Sequence, residues 1–345
     1  MSSFDAARAL DLPALPIYIE QLERRIVDVL ATDNKYLQAS VAHLLQVRGK
    51  RLRPSLLIAV AASQGHEIDN AAVAGCVAIE LVHLASLVHD DIMDETDTRW
   101  GLPTIHAREG SAQAILVGDY LLAKACQEAT TISSDAARVI TAAIASLVDG
   151  QARELADKFN LDRTQEAYFQ AIKGKTASLF LAACRLGGMH AGLDAAACSR
   201  FAAFGENFGM AFQLTDDVLD FISTPELSGK PIGNDIAEGV YTLPVLLALD
   251  GPHREALTAL LAKQQKADRN AVIEIILRSG TIERTLATAH DYSHKATQIL
   301  QAHNNEQDTA VSLQKLPSAY TRWALTQLVA MTYRPIAAAS LPDEF

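Results

Sequence analysis

The sequence predicts an all-α fold built as one large helical bundle, and three observations support this. Hydrophobic residues make up 49% of the 345 residues, and the helix-favouring residues Ala and Leu dominate. No proline occurs between Pro103 and Pro225, so nothing in this stretch forbids continuous helix. Sustained alternation of apolar and polar residues, which would indicate strands, is hard to find. Although a chain of this length can hold two domains, we expect a single all-helical domain over residues 1–345.

The most apolar segment, from Ala71 to Val88, predicts a long helix. It is long enough to suggest a membrane span, but it contains Glu80 and His83 and runs directly into an acidic cluster. A buried core helix explains these residues better. We therefore expect no transmembrane segment.

Two further helices have recognisable ends. Ser134 and Asp135 precede an apolar run and predict one N-terminus. The segment from Asp162 to Thr164 predicts the start of another helix, which we expect to close at Gly187 and Gly188.

Glycine and proline concentrate in two predicted loops, from Arg99 to Thr104 and from Thr224 to Pro244. Each loop follows an Asp-rich helix end, so the sequence places an acidic cluster beside a polar loop twice. We expect both clusters to face the mouth of one cavity. The residues after Leu246 show helical periodicity without a cluster of reactive groups, and we interpret them as scaffold.

Charge and cysteine content exclude several classes of function. The formal net charge of −11 and the pI near 5.4 argue against nucleic-acid binding. The four cysteines lack CxxC spacing and lie in apolar stretches, so they predict reduced thiols rather than disulfides or a metal site. The first twenty residues lack the pattern of a secretory signal. We expect a cytoplasmic protein.

Two Asp-Asp-x-x-Asp clusters are the strongest chemical signal in the sequence. Their six carboxylates are Asp90, Asp91, Asp94, Asp216, Asp217 and Asp220. In each cluster the first and last residues are four apart, so they share a helix face about one turn apart. Mg²⁺ uses one or two protein carboxylates and completes its coordination with water and phosphate oxygens. A diphosphate is therefore the natural bridging ligand.

A single cluster of this kind is more often a solvated helix face than a metal site. Here both clusters follow apolar runs, AIELVHLASLV and GMAFQL, which place the carboxylates at the ends of buried helices. Uncompensated charge is expensive in such a position. Compensation by bound metal is the simpler explanation of the pair.

Candidate phosphate-binding cations occur at separate points of the chain. They are Lys50, Arg51, Arg53, Arg99, Lys175 and Lys230. Each alone would be interpreted as a surface residue, and the three basic residues before Pro54 are equally consistent with a solubilising turn. The GKT at Gly174 to Thr176 lacks the first glycine of a P-loop and follows no strand, so we reject a nucleotide site.

Six motifs, taken in order, resemble the trans-prenyltransferases, also called the polyprenyl synthetase family. They are GKRLRP, ELVHLASLVHDDIMDETDTRWGLPT, VGDYLLA, GKTASLF, GMAFQLTDDVLDF and GKPIGND. They span about residues 45–250 at compatible spacing. The resemblance implies the isoprenoid synthase type I fold, in which the Asp clusters face each other across a central cavity and the hydrocarbon grows between apolar helices. It also implies a homodimer.

The resemblance further implies the metal ligands. Asp90, Asp94 and Asp216 would bind Mg²⁺ most directly, with three ions per site when diphosphate is bound. The remaining aspartates would act in supporting or water-mediated roles. They are Asp91, Asp217 and Asp220.

Residues for the allylic substrate follow from the same resemblance. Arg99, Lys175 and Lys230 would hold the allylic diphosphate. Thr176 and Gln213 would stabilise the developing allylic cation through their oxygen dipoles.

Lys50, Arg53 and His83 match the family positions that bind isopentenyl diphosphate. The implied reaction ionises the allylic C–O bond, lets isopentenyl diphosphate attack the cation, and ends with loss of a proton. It needs no enzymic nucleophile, in agreement with the lack of any Ser-His-Asp or Cys-His pattern.

Three positions depart from the family pattern. Relatives usually carry a second arginine where Trp100 stands, so one cation expected at isopentenyl diphosphate is missing. Val240 in EGVYTLP replaces a lysine that is common in relatives, and Arg48 replaces a glycine. Losing one charge-assisted phosphate contact typically costs about 1.5 to 3 kcal/mol. We expect weakened binding of isopentenyl diphosphate, with Arg48 or Arg108 as a compensating cation.

Small residues just before the first cluster, Ala85 and Ser86, leave room for a long product and favour C20 or beyond. Two alternative functions remain. A class I terpene cyclase would share the first cluster but normally has a different second metal motif. A noncatalytic subunit of a synthase would explain Trp100 and Val240 but not two intact Asp clusters.

Overall fold

The computed structural model describes residues 9–46, 49–63, 65–222 and 232–301, and most of these residues are helical. The first helices in chain order are α1 (Leu15–Val29), α2 (Lys35–Leu44), α3 (Leu52–Ala62), α4 (Asn70–Met93), α5 (Ile105–Glu109), α6 (Ser111–Ile132) and α7 (Ser134–Ala156). The next are α8 (Gln165–Ile172), α9 (Ser178–His190), α10 (Ala195–Ile222), α11 (Asn234–Glu238), α12 (Leu243–Leu249), α13 (Arg254–Leu261), α14 (Arg269–Arg278) and α15 (Thr281–Gln301). A π-helical segment, Lys173–Ala177, joins α8 to α9, and a 3₁₀ turn, Gln264–Lys266, precedes α14. The predicted all-α fold is confirmed.

Polar side chains cap several helices at their N-termini. Asp69 starts α4 by accepting hydrogen bonds from two backbone N–H groups of the first turn, at 2.8 and 3.1 Å. Thr164 caps α8 at the predicted position. The cap of α7 is Ser133, one residue before the predicted Ser134, and Asp135 lies in the first turn, where the helix dipole favours an acid.

The predicted helix end at Gly187 and Gly188 is wrong, because α9 continues through both glycines to His190. A Cβ at Gly187 would lie 2.6 Å from the carbonyl oxygen of Leu57 in α3. Glycine at this position therefore allows two helices to approach closely rather than ending one of them.

The first predicted loop contains a short hairpin. Strands β1 (Thr98–Arg99) and β2 (Leu102–Pro103) pair antiparallel. Trp100 and Gly101 form the turn with φ angles of 51° and 80°, as a two-residue hairpin turn requires. The hairpin reverses the chain directly after the first acidic cluster.

Helix α4 is a core helix. It is long and apolar enough to cross a membrane, but 78% of its most apolar window is buried inside the protein. It packs against α1, α3, α6 and α9. Since α9 also packs against α7 and α10, the two helices that carry the Asp clusters share α9 as a common neighbour.

Helix α10 connects two groups of buried apolar side chains. Phe204 and Phe208 belong to a cluster with the buried residues of α3, α4 and α9. Leu214 and Val218, further along α10, belong to a second cluster with α12, α14 and α15. The described helices after Leu246 thus support α10 by packing. A single domain over residues 1–345 remains a prediction.

Candidate active site

The first acidic cluster lies at the end of α4, and its carboxylates have different partners. Asp94 is the C-cap residue, so Asp90 and Asp94 remain about one turn apart. Asp91 is buried, and its Oδ1 accepts a hydrogen bond from Nε of Arg99 at 2.8 Å. Asp91 and the hairpin therefore hold the Arg99 guanidinium beside the cluster.

The π-helical segment places Lys175 against the same cluster. It packs closely on α7, because a Cβ at Gly150 would lie only 2.2 Å from the backbone nitrogen of Lys175. In this position the Lys175 Nζ lies 2.5 Å from Oε1 of Glu154. Burial lowers the pKa of Lys175, but Glu154 and Asp90 outweigh burial and raise the pKa above its ordinary value. Lys175 is therefore a permanent cation.

Asp90 lies among charges of both signs. Burial raises the pKa of its carboxyl group and Asp94 adds to the rise, while Lys175 and Arg99 oppose it. The structure thus brings together four of the residues singled out from the sequence, two acids and two cations, at one helix end.

The second cluster lies in the last turns of α10, where neutral donors hold Asp217. This residue is 2% exposed, and its carboxylate accepts hydrogen bonds from the Gln213 amide at 2.8 Å and from the Tyr168 hydroxyl. Gln213 in turn accepts a hydrogen bond from the Thr176 hydroxyl at 2.6 Å. Burial raises the pKa of Asp217 to about 7, although both hydrogen bonds lower it. Thr176, Gln213 and Asp217 thus form one hydrogen-bonded chain.

The other two aspartates of the second cluster have separate surroundings. Asp220 accepts hydrogen bonds from the backbone N–H groups of Asn234 and Asp235, at 3.2 and 3.3 Å, and so joins α10 to α11. Asp216 lies near Lys50: partial burial lowers the pKa of Lys50, and the Asp216 carboxylate opposes this. Lys50 therefore lies beside the second cluster.

Three arginines surround His83 on α4. Burial lowers the pKa of His83 well below its ordinary value, and the neighbouring guanidinium groups of Arg53, Arg51 and Arg99 add to the effect. The imidazole is neutral at pH 7 as a result. Arg53 also lies over the ring of Phe180, 4.5 Å from its centroid. Arg53 and His83 thus lie close to each other and to Arg99.

Arg51, the middle one of the three basic residues before Pro54, stabilises the fold. Its side chain lies 2.6 Å from Glu23 and 2.5 Å from Glu80, and the residue is only 6% exposed. These ion pairs connect α1, α3 and α4. They also explain why an acid occurs within the apolar helix α4.

Two of the three departures from the family pattern, Trp100 and Val240, lie within the described residues and occupy different environments. Trp100 is 49% exposed in the hairpin turn, with its ring 5.7 Å from the Arg99 guanidinium. This contact can steady Arg99 but adds no positive charge. Val240 is buried, and its N–H donates a hydrogen bond to the carbonyl oxygen of Asp235 at 2.8 Å.

Three other predicted cations cannot be placed at the site. Lys230 and Arg48 lie outside the described residues. Arg108, on α5, pairs with its neighbour Glu109 at 3.6 Å. The proposed compensation for Trp100 therefore stays a prediction.

The structure adds polar residues that the motifs did not indicate. Gln151, Glu154 and Lys158 are spaced along one face of α7 and the turn that follows. Lys158 Nζ lies 2.9 Å from Oδ1 of Asp94. Gln151 is 5% exposed, and neither of its amide atoms has a hydrogen-bond partner among the described residues. The spacing was visible in the sequence, but the same spacing is typical of a solvated helix face.

The donor set fits a hard divalent cation. Within the described ranges, no three acidic, histidine or cysteine side chains are close enough to hold a metal ion by themselves. Asp90 and Asp94 instead offer carboxylate oxygens one turn apart. Mg²⁺ suits such a pair because it takes its remaining ligands from water and phosphate.

Fold and site together define a class of protein: a helical bundle whose paired carboxylates and separate cations converge, an arrangement suited to metal-bound diphosphates. The profile of the polyprenyl synthetase family matches residues 34–277. Heptaprenyl diphosphate synthase component 2 of Geobacillus stearothermophilus is 38% identical over 285 residues, covering 81% of this chain and 87% of that protein. Nonaprenyl diphosphate synthase of Mycobacterium tuberculosis is 39% identical over 265 residues, covering 76% and 78%.

A solved structure of a polyprenyl synthase is also similar to this chain. The polyprenyl synthase from Caulobacter crescentus, complexed with calcium and isoprenyl diphosphate, superposes with a TM-score of 0.85 at 32% identity. The match covers 93% of this chain and 98% of that one. The chain therefore belongs to the polyprenyl synthetase family, and the resemblance seen in its six motifs is confirmed. It is a prenyltransferase.

Proposed function

We propose that the chain is a Mg²⁺-dependent synthase that condenses isopentenyl diphosphate with an allylic diphosphate, head to tail (1'-4), to give a trans-polyprenyl diphosphate. The observation that carries this proposal is the convergence of Asp90 and Asp94 with Arg99 and Lys175 at the end of a buried helix. A second basic group, containing Arg53 and His83, lies beside it. Two diphosphate substrates require two such groups of cations.

The allylic diphosphate occupies the side of the site between the two acidic clusters. Asp90, Asp94 and Asp216 bind Mg²⁺, three ions per site when diphosphate is present. Asp91, Asp217 and Asp220 support the binding of the ions. Calcium and isoprenyl diphosphate in the Caulobacter crescentus structure support the use of a divalent cation here.

Arg99, Lys175 and Lys230 hold the oxygens of the allylic diphosphate. Arg99 is fixed for this by Asp91, and Lys175 by Glu154. Because both cations are already oriented, less conformational entropy is lost when the substrate binds.

Isopentenyl diphosphate binds to Lys50, Arg53 and His83. The neutral imidazole of His83 can donate a hydrogen bond to a phosphate oxygen without adding charge. The missing arginine at Trp100 weakens this pocket without abolishing it.

In the reaction the allylic C–O bond breaks and its electron pair leaves with the diphosphate. The double bond of isopentenyl diphosphate then attacks the allylic carbon to form the new C–C bond. A proton is lost from C2 of the isopentenyl unit to the departed diphosphate. Bound Mg²⁺ supplies positive charge that stabilises the leaving group. Arg99 and Lys175 add fixed positive charge at the same place.

The allylic cation is stabilised by oxygen dipoles. Thr176 donates its hydroxyl proton to Gln213, so its lone pairs remain available to a cation. Gln213 is oriented in turn by its hydrogen bond to Asp217. A buried, pre-oriented chain of this kind stabilises charge with little reorganisation.

The product is a prenyl diphosphate of C20 or longer. Ala85 is fully buried within α4, and Ser86 follows it one turn before the first cluster. Small side chains at these two positions obstruct a growing chain less than aromatic side chains would.

The protein acts in the cytoplasm as a homodimer. Ile115 and Leu116 on α6 and Val148 on α7 are exposed apolar residues, at 47%, 49% and 58%, and exposed apolar side chains support a partner. One relative is named component 2 of a heptaprenyl diphosphate synthase, so the mass in solution should be measured to distinguish a homodimer from an unpartnered subunit.

The test of this function is incorporation of labelled isopentenyl diphosphate. Purified protein and Mg²⁺ are incubated with dimethylallyl, geranyl, farnesyl or geranylgeranyl diphosphate, and products are separated by chain length. We expect labelled products of C20 or longer. A cyclic hydrocarbon without label would indicate a terpene cyclase instead, and turnover only after addition of a partner synthase would indicate a regulatory subunit.

A further inference from the structure

Lys158 is a cation at the first acidic cluster that lies outside every motif of the family resemblance. It follows α7 in the turn after Ala156, and its Nζ lies 2.9 Å from Oδ1 of Asp94. The two side chains are 20% and 16% exposed. Water therefore screens this pair less than an ion pair on the open surface.

The backbone fixes the position of Lys158. The next residue, Phe159, has a φ of 59°, and its N–H donates a hydrogen bond to the carbonyl oxygen of Gly239 at 2.8 Å. Gly239 lies so close that a Cβ there would be 2.7 Å from the Phe159 ring. Lys158 directly precedes Phe159, and Val240 directly follows Gly239. Each therefore adjoins one of the two residues that make this contact.

This contact relates Lys158 to Val240, one of the three departures from the family pattern. The resemblance of the motif EGVYTLP to the family pattern implies a lysine at the position of Val240. Here the side chain is buried and apolar, and the turn after α7, which contacts the adjacent Gly239, supplies an ammonium group instead. Lys158 could therefore place positive charge in the region that a lysine at 240 would reach.

We propose that Lys158 is a binding residue for the diphosphate of the allylic substrate and replaces, from the neighbouring segment, the cation missing at Val240. This inference rests on the proposed function and extends it to a residue that the motifs do not include. An ammonium group has three N–H donors on a flexible stem. Lys158 can thus keep one hydrogen bond to Asp94 and donate others to phosphate oxygens.

The test compares four variants with the wild-type protein. Lys158→Gln removes the charge, and Lys158→Arg keeps it. The double variant, Lys158→Gln with Val240→Lys, moves the positive charge from position 158 to position 240, on the other side of the contact between Phe159 and Gly239. Arg138→Gln is the control, because it removes an exposed cation from the other end of α7, about 30 Å away along the helix.

Steady-state kinetics should separate the two substrates. We expect Lys158→Gln to raise KM for geranyl diphosphate about 10-fold to 100-fold and to change KM for isopentenyl diphosphate less than about 2-fold. Lys158→Arg and the double variant should recover most of the loss. A merely structural role would affect both KM values alike and would not respond to the lysine at 240.

Binding of inorganic pyrophosphate, measured by calorimetry in EDTA and again with Mg²⁺, gives a readout without turnover. We expect Lys158→Gln to weaken pyrophosphate binding about 10-fold or more in both conditions, and Arg138→Gln to bind pyrophosphate as the wild type does. Thermal unfolding checks that each variant is folded. If the double variant does not fold, pyrophosphate binding and Lys158→Arg decide the question.

The inference is wrong if Lys158→Gln binds pyrophosphate and geranyl diphosphate as the wild type does. That outcome leaves the proposed function intact, provided the wild type incorporates isopentenyl diphosphate. If the wild type incorporates none with any primer, the proposed function fails, and pyrophosphate binding still tests Lys158 independently.

Discussion

The two acidic clusters have one sequence motif but different surroundings. In the first, Arg99 and Lys158 each lie beside a carboxylate, at 2.8 and 2.9 Å. In the second, Asp217 is held by neutral donors, and burial raises its pKa to about 7. The motif specifies where carboxylates lie on a helix, while their charge state depends on residues from other helices.

This difference suggests that the two clusters have different roles in binding and catalysis. The first cluster is surrounded by cations that suit a diphosphate, and the second is connected to the hydrogen-bonded chain that contains Thr176 and Gln213.

The largest effect should come from the proposed metal ligands in either cluster. Asp90→Asn and Asp216→Asn should each reduce turnover about 1,000-fold or more, since loss of metal-mediated charge stabilisation costs several kcal/mol. Asp149→Asn, an exposed acid paired with Arg153 on α7, is the control and should retain full activity. Retained activity in either ligand variant would exclude that residue as an essential ligand.

The second-largest effect should come from the cations beside the first cluster. Arg99→Gln should raise KM for the allylic substrate about 10-fold to 100-fold. Asp91→Asn should have a smaller effect in the same direction, because Asp91 acts by holding Arg99. If this is correct, the double variant should resemble Arg99→Gln alone, and additive effects would show that Asp91 acts independently.

The third effect is a pH dependence specific to the second cluster. Because the pKa of Asp217 is raised from 3.8 to about 7, the folded state binds a proton more tightly than the unfolded state. The free energy of unfolding should therefore fall as pH rises from about 4 to about 7, by an amount on the order of 1 to 4 kcal/mol.

Asp217→Asn removes this titration and should flatten the profile. Chemical denaturation in EDTA, at several pH values, measures the difference between the two proteins. If the free energy of unfolding changes with pH equally in the wild type and in Asp217→Asn, then Asp217 does not have a raised pKa.

The smallest effect concerns the missing arginine near the first cluster. Trp100→Arg should lower KM for isopentenyl diphosphate by up to about 10-fold, because it restores a charge-assisted phosphate contact. Trp100→Gln, which removes the ring without adding charge, should not do so. An unchanged KM in Trp100→Arg would mean that the pocket is not weakened by Trp100.

Much of the fold and part of the site could be predicted from the sequence. The apolar run from Ala71 to Val88 predicted a core helix, because only burial in the protein explains Glu80 within it, and Arg51 proved to be its partner. Asp90 and Asp94 share a helix face because four-residue spacing fixes this in any helix.

Other features depend on contacts between distant segments. Lys158 and Glu154 belong to a polar helix face that resembles a solvated one, and only the close packing of Gly150 on the π-helical segment turns it toward the site. Gly187 resembles a helix end in sequence, because nothing local shows that Leu57 of another helix lies against it.

The central claim is that the two clusters jointly bind a diphosphate through a divalent cation. Calorimetry of inorganic pyrophosphate with and without Mg²⁺ tests it directly, in the wild type, Asp90→Asn and Asp216→Asn. We expect Mg²⁺ to tighten binding to the wild type strongly, and each substitution to remove most of that gain. Equal binding with and without Mg²⁺, or an undiminished Mg²⁺ effect in both variants, would contradict the account.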